Sequence, residues 1–288
     1  MVEITPLVSV IIPCYNEGKF LLEAVNSVEK QSYKNFEIII VKDYSDHTET
    51  LKVCQLLKSQ NRAEVLYLKT HSWTATARNK GIESSNGEII FTLDGDDTIA
   101  SDFLEKTVSV LIQKVDIGFV YTDMYRFNSK IKYMHKKSSF EVGKVVAEGY
   151  PSSAIVFWKR YFDLTTGYYE KLKGQEDYEF LIQLCGLEVN GYHLSEPLYY
   201  YRLKSSNYSK HSYSKEKYGL ESKLLILEKN HRVFEKHSIE VIRNLLSLND
   251  SLWRYQYENS KAFYHIKWLL SYFYLLLKNK FFFKKIKL

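Results

Sequence analysis

Cysteine is scarce. Cys14, Cys54 and Cys185 are the three in 288 residues, far apart and without metal-ligand spacing, which argues against a disulfide scaffold and for a reducing compartment. The amino terminus puts an acid at Glu3 and runs directly into a strand-like stretch, so no signal peptide is read there. The first turns lack the spacing of a dinucleotide fingerprint, and no Gly-rich loop ends in Lys-Ser/Thr; a nicotinamide dehydrogenase and a P-loop enzyme are weak readings. A zinc-ligand array, a glycine-flanked aromatic module and a dense basic stripe are all missing, which disfavours nucleic acid as a partner. The apolar stretch from Trp268 to Leu277 is too short for an ordinary membrane span. At 45% apolar and 26% charged residues, the chain carries no compositional sign of disorder, and its length suits one catalytic domain with a helical appendage.

What is present is organised around Glu88-Ile-Ile-Phe-Thr-Leu-Asp94-Gly-Asp96-Asp97, an apolar run that ends in three carboxylates within four positions. Its Ile, Phe and Leu content predicts a parallel strand covered on both faces, with Gly95 letting the chain turn. Carboxylates at the carboxyl end of such a strand lie where open α/β sheets bind ligands, and hard oxygen donors there suit a divalent cation holding phosphate oxygens. The plainer alternative is a solvated acidic turn. Upstream, Leu7–Ile12 predicts a strand stopped by Pro13, Asn16 a cap for a helix carrying Phe20, Leu21, Ala24, Val25 and Val28, and Phe36–Val41 the next strand. A helix over Thr48–Ser59 and a strand around Glu64–Leu68 continue the alternation, which is doubly wound α/β logic. Thr74-Ala-Thr-Ala-Arg78-Asn79-Lys-Gly81 places a cation near a helix leading into the organising strand; Arg78 can reach a pyrophosphate, orient an acid in the site, or simply be a solvated helical arginine. Downstream, Ser101 or Asp102 is the expected cap of a helix to about Ile112, Gly118–Met124 a strand, and Tyr125–Met134 and Phe140–Val146 short strands or an irregular hairpin.

Val8-Ser-Val-Ile-Ile-Pro-Cys-Tyr-Asn16, Ile38-Ile-Ile-Val-Lys-Asp43-Tyr-Ser45, Ala77-Arg78-Asn79-Lys-Gly81 and Leu93-Asp94-Gly-Asp96-Asp97 together resemble the successive signatures of the family 2 glycosyltransferases, inverting enzymes of the GT-A fold. The resemblance covers roughly residues 5–205 and implies an α/β GT-A catalytic domain over 1–212, followed by a helical extension over 213–288. It implies transfer of a sugar from a nucleotide-diphosphate donor, a UDP-sugar by default, to an acceptor hydroxyl with inversion. Asp94 and Asp96 match the Asp-x-Asp motif, implying Asp96 as a contact to Mn²⁺ or Mg²⁺ and Asp94 as a ribose contact or second ligand, with Asp97 a neighbour. Pro13, Tyr15, Asn16 and Glu17 resemble the base and ribose pocket. The second signature departs from its usual two Asp residues followed by Gly-Ser: here Lys42 precedes Asp43, Tyr44 and Ser45, so Asp43 is the expected base contact, with Lys42 turned outward and Tyr44 reshaping the pocket.

On the acceptor side, Gln175-Glu176-Asp177 resembles the family's general-base motif, implying Asp177 as base and Glu176 as its support; without that context both read as first-turn helix charges. Arg202, in the late strand-like run Leu198–Leu203, resembles a residue that approaches donor phosphates, and His211 in the following segment is a candidate metal ligand or a surface histidine. The Gln-x-x-Arg-Trp pattern of many processive members is missing, which favours a nonprocessive enzyme. From about Glu216 the sequence turns helical, and the last eleven residues carry Lys278, Lys280, Lys284, Lys285 and Lys287 without an acid, interleaved with Phe281-Phe-Phe283. This end is expected either to pack on the catalytic domain or a second subunit, as in a homodimer, or to meet an anionic membrane. The functional expectation is a cytoplasmic transferase, peripheral at the inner face of the cell membrane, that builds a cell-surface polysaccharide on a glycan or lipid-linked acceptor. The alternatives are a transferase acting on a soluble glycan or protein and an inactive GT-A carbohydrate-binding protein.

Overall fold

The computed structural model describes residues 5–148, 154–203, 219, 221–244 and 246–247. Strands β1 (Val8–Cys14), β2 (Phe36–Lys42), β3 (Glu64–Tyr67) and β4 (Ile89–Thr92) alternate with helices α1 (Lys19–Glu29), α2 (Thr48–Ser59) and α3 (Trp73–Ser84). Then follow β5 (Thr98–Ile99), α4 (Phe103–Gln113), β6 (Ile117–Phe127), β7 (Lys132–His135), α5 (Val142–Glu148), β8 (Val156–Trp158), α6 (Lys159–Asp163), α7 (Glu176–Gly186) and β9 (Asn190–Arg202). A helical stretch over 221–229 (α8) and α9 (His231–Lys236) come after them. The sheet order is β3-β2-β1-β4-β8-β6-β9-β5, with β7 paired to β6. Strands β1 to β4 run parallel, whereas β8 is antiparallel to both β4 and β6, so the sheet changes direction beside β4.

Both sheet faces are covered, which is why these strands read as unbroken apolar runs. Successive side chains point to opposite faces. Val8, Val10, Ile12, Ile38, Ile40, Ile89 and Phe91 pack with α1, α2 and α4, while Ile11, Ile39, Val41 and Ile90 pack with α3 and α7. Gly81 lets α3 settle onto the sheet: a Cβ there would lie 2.3 Å from Ile11 Cγ2.

Three expectations are corrected. Pro13 does not stop β1, which pairs through Pro13↔Val41 and Cys14↔Lys42. The Val8 amide donates to Asn35 O and the Cys14 carbonyl accepts from the Asp43 amide, so even-numbered residues face β2. The donor that proline lacks therefore faces β4, which has already ended at Thr92. Asn16 is exposed and does not cap α1; Gly18 does, at φ 56°, its amide donating to Thr50 Oγ1 at 2.9 Å. Within the segment expected as strand over Phe140–Val146, the chain instead enters α5 at Val142, and Val145 and Val146 are buried. The run expected as strand over Leu198–Leu203 is the end of a longer strand, β9. After it, Ser222 and Ile226 of α8 and Asn230 just beyond it are buried at four-residue spacing, with Leu224, Leu225 and Leu227 only half-buried. The basic aromatic end, Leu220, Leu245 and His211 lie outside the described residues. Among the described residues, no helix is long and apolar enough to cross a membrane.

Candidate active site

The end of β4 and the start of α7 meet across one buried arginine. Arg78, on α3, donates from Nη2 to Asp94 Oδ1 and from Nη1 to Glu176 Oε1, both at 2.8 Å, and its guanidinium stands 5.3 Å from the Tyr168 ring. Its planar fork suits two carboxylates at once. Burial opposes the charge, but Asp94 and Glu176 outweigh it, so the guanidinium is held more firmly protonated than usual. Burial pushes the Glu176 carboxyl up to about 7; Arg78 opposes that rise and the neighbouring Asp177 reinforces it. Asp94 is also raised, first by burial, with Arg78 opposing and Asp96 adding like-charge repulsion. Asp177 follows Glu176 in the first turn of α7, half-buried, and its charge is felt at Arg78. Two residue types that sequence places 98 positions apart thus share one ion pair.

The acidic turn is held from behind by β9. Asp97 is buried and accepts from Tyr199 Oη and the Arg202 amide, both at 2.7 Å. Burial and then the charges of Asp96 and Asp94 raise its carboxyl well above the usual range. Arg202 donates from Nε to the Asp96 carbonyl at 2.7 Å and from Nη2 to Glu23 at 2.5 Å, with its guanidinium between the Phe20 and Phe127 rings. The structure therefore places Arg202 as a clamp on the turn. Gly95 brings that turn against the loop after β1: a Cβ there would meet Pro13 O at 3.1 Å and Glu17 Cγ at 3.2 Å. Asp94, Asp96, Pro13 and Glu17 are brought together in this way. The Glu17 carboxylate in turn accepts from the Tyr15 amide.

Beside this loop, Asp43 accepts from the amides of Ser72 and Trp73, at 2.8 and 3.1 Å, and pairs with His71 Nδ1 at 2.6 Å. The His71 ring lies 4.7 Å from that of Tyr15 and 4.8 Å from that of Trp73. Trp73 is held at φ 66°, a backbone region a bulky side chain rarely adopts, with its indole part-exposed. Ser45 donates to the Tyr15 carbonyl at 2.8 Å. Lys42 does not turn outward: it is buried, and Nζ donates to the carbonyls of Asp43 and Ser45 and to Ser45 Oγ. The changed second signature therefore fastens its own loop, while Tyr44 is exposed. His71, Trp73 and Tyr168 escaped the sequence reading. The available signal was His71-Ser72-Trp73 lying just past a strand's carboxyl end, the edge that carries Asp43 and Asp94.

For a divalent cation the donors are Asp94 and Asp96, two hard carboxylates on one tight turn whose mutual repulsion a cation would relieve. Among the described residues, no group of three or more His, Cys, Asp and Glu could hold a metal alone. Two carboxylates suit an ion that takes its remaining ligands from phosphates and water.

The model for "Glycosyl transferase family 2" matches residues 9–176, more than half of the chain. Glycosyltransferase GlyG of Streptococcus pneumoniae is 36% identical over 123 residues, covering 42% of this chain and 40% of that protein. The amylovoran biosynthesis glycosyltransferase AmsB of Erwinia amylovora is 26% identical over 229 residues, covering 74% of this chain and 75% of that one. The chain spans about two fifths of the length of GlyG and of two other curated glycosyltransferases that it matches. Among solved structures, S. aureus TarS 1-349 in complex with UDP-GlcNAc superposes with a TM-score of 0.67 at 21% identity, over 83% of this chain and 72% of that one. Mannosyltransferase PcManGT from Pyrobaculum calidifontis, in complex with GDP-Man and Mn²⁺, gives 0.63 at 17% identity, over 95% and 81%. These superpositions establish an α/β GT-A fold.

Proposed function

The chain belongs to glycosyl transferase family 2, and from that premise we propose that it transfers a sugar from a nucleotide-diphosphate sugar to an acceptor hydroxyl with inversion. The observation that carries this reading is the Arg78 fork, which joins the acidic turn at Asp94 to the α7 entrance at Glu176. It sets a donor wall and an acceptor wall on either side of one guanidinium. In the reaction the acceptor oxygen bonds to the anomeric carbon as the bond to the diphosphate breaks, and the acceptor proton passes to a carboxylate. Glu176 is committed to Arg78, so Asp177, its neighbour on the same helical turn, takes the role of base. Asp43, Tyr15, Asn16, Glu17 and Ser45 line the nucleotide side, and Pro13 supplies the carbonyl against which the acidic turn rests. Asp96 with Asp94 would hold Mn²⁺ or Mg²⁺, which when bound offsets charge on the departing diphosphate. A UDP-sugar is the first donor to try; TarS, with its UDP-GlcNAc complex, supports that choice, and the Mn²⁺ complex of PcManGT supports the cation.

The setting we propose is cell-surface polysaccharide synthesis on a glycan or lipid-linked acceptor, supported by the likeness to AmsB. The enzyme would work at the inner face of the membrane, with the terminal Lys and Phe residues meeting anionic lipid. The test is single-turnover transfer with Asp177→Asn, after screening nucleotide sugars with and without Mn²⁺. Loss of a positioned base predicts a fall of about 10²- to 10⁴-fold in the chemical step, with donor affinity unchanged. A near-normal rate would remove Asp177 as the base, and no turnover of any donor by the intact protein would favour a binding role.

A further inference from the structure

The β6–β7 hairpin projects at the edge of the sheet that carries the acidic turn. Strand β4 is antiparallel to β8 and β8 to β6, so β4 and β6 run in the same direction and end on the same side of the sheet. The end of β6 pairs through Phe127 with Arg202, whose amide and Nε hold the Asp97 carboxylate and the Asp96 carbonyl. Beyond that end the chain turns at Asn128, whose Oδ1 accepts from the Lys130 and Ile131 amides at 2.8 and 3.0 Å, and returns as β7. Every residue from Asn128 to Met134 is exposed. Ile131, Tyr133 and Met134 are 50%, 45% and 44% exposed, and because Tyr133 and Met134 point to opposite faces of β7, both faces of the hairpin are open.

Single exposed apolar residues are ordinary, but three within four positions make a patch. Charge of one sign surrounds it. From Met124 to Phe140 the chain holds Arg126, Lys130, Lys132, Lys136 and Lys137 and no acid. Lys130, Lys132 and Lys136 are exposed, and the Lys132 ammonium lies 4.2 Å from the Tyr125 ring and 4.8 Å from the Tyr200 ring, which ties the hairpin to β9. Lysines on an edge strand discourage pairing with another copy, whereas apolar side chains set among lysines match a surface that is apolar inside and anionic outside. We propose that the β6–β7 hairpin is a docking surface for an anionic lipid bilayer, with Ile131, Tyr133 and Met134 entering the headgroup region and Lys130 and Lys136 meeting lipid phosphates. The inference rests on the membrane setting proposed above and adds an orientation to it. Docking by this hairpin turns the strand ends, with Asp94 and the Arg78 fork, toward the bilayer, where a lipid-linked acceptor presents its hydroxyl.

The test uses the full chain with vesicles of phosphatidylcholine alone and of phosphatidylcholine mixed equally with phosphatidylglycerol, at matched ionic strength. Cys14, Cys54 and Cys185 are all buried, so Ile131→Cys gives one exposed thiol for an environment-sensitive dye. Its emission should shift to the blue with the anionic vesicles only, while the same dye at Lys52→Cys, on α2 toward the opposite end of the sheet, should stay unchanged. Sedimentation with the anionic vesicles should fall about tenfold in Lys130→Gln/Lys136→Gln and in Ile131→Ser/Met134→Ser. It should be kept in Lys52→Gln/Lys58→Gln, which removes the same charge from α2. The lysine pair and the dye carry the test if the serine pair does not fold. A silent dye at position 131, with sedimentation unchanged in both hairpin pairs, would overturn the proposal and leave vesicle binding to the terminal Lys and Phe residues. A dye shielded without vesicles, in a dimer that the serine pair dissolves, would overturn it in favour of a second copy as occupant. An intact protein that ignores anionic vesicles would remove the membrane setting and the hairpin's role with it. Because no turnover is read, failure to transfer any sugar would count against the transferase reading and leave the hairpin decided by these measurements.

Discussion

Replacing Glu176 with Gln should flatten the pH dependence of stability on the acid side. The Glu176 carboxyl is raised from 4.5 to about 7, chiefly by burial. Between those values the folded protein keeps a proton that the unfolded chain releases. By linkage, stability contributed by this group is full below the unfolded value, falls as pH rises toward 7, and is level above it. At about 1.4 kcal/mol per unit the loss amounts to about 3 kcal/mol, an upper figure because the charges of Arg78, Asp177 and Asp94 beside it also act on this carboxyl. In Glu176→Gln the amide oxygen still accepts from Arg78 Nη1, so the 2.8 Å contact can persist without the proton. Urea unfolding at fixed ionic strength, at intervals from about pH 4.5 to 7.5, gives stability curves for both proteins. Asp94 and Asp97 are raised in both, so the difference between the curves isolates Glu176 and its coupling to them. The wild type should lose stability relative to the variant by up to about 3 kcal/mol across this window. Parallel curves would refute a proton held at Glu176, and a wild type that gains on the variant with rising pH would reverse the sign of the argument.

Gly81→Ala should destabilise the fold by about 1–2 kcal/mol: overpacking against Ile11 and Val41 outweighs the gain in helix propensity. A fall of several degrees in Tm would show it, and an unchanged or higher Tm would mean that Ile11 yields easily. Truncation after Lys278 removes Phe281, Phe282, Phe283, Lys280, Lys284, Lys285 and Lys287. Sedimentation with anionic liposomes should fall about tenfold or more while soluble-substrate turnover is kept, and equal sedimentation of the folded truncation would return this end to a packing or solvated role.

The fold was legible where burial on both faces leaves a long signal. Strands β1, β2 and β4 read as apolar runs because both of their faces are covered, and α2 was bounded correctly by its polar ends. Short segments failed for a physical reason. Val142–Glu148 is an apolar stretch too brief for periodicity to separate strand from helix, and its packing beside α7 and Val241 decides the matter. Asn16 has the chemistry of a cap, but the bond from the Gly18 amide to Thr50, 32 residues away, fixes where α1 begins. Within the site, residue types were visible and pairings were not. Arg78 could be read as a phosphate contact or as the partner of an acid, and only the approach of α7 to the end of β4 shows two acids on its fork.

The same pairing explains why the site can tolerate so much like charge. Asp94, Asp97 and Glu176 are all pushed toward their protonated forms by burial, which is unfavourable for a folded core. Stability alone would be better served by apolar residues at these positions, so a role that requires carboxylates is needed to account for them. Each acid is held by a separate device: Asp94 and Glu176 by the Arg78 fork, and Asp97 by Tyr199 and the Arg202 amide. Arg202 adds a bond to the Asp96 carbonyl, which fixes the turn. Glu179, two residues beyond Asp177, is fully buried and accepts from Lys229, Asn230 and Gln183, which seats α7 against α8. The entrance of α7 is thereby fixed at both ends of its first turn, by Arg78 before the proposed base and by Glu179 after it, and Asp177 is positioned by rigid elements and not by the loop that precedes it.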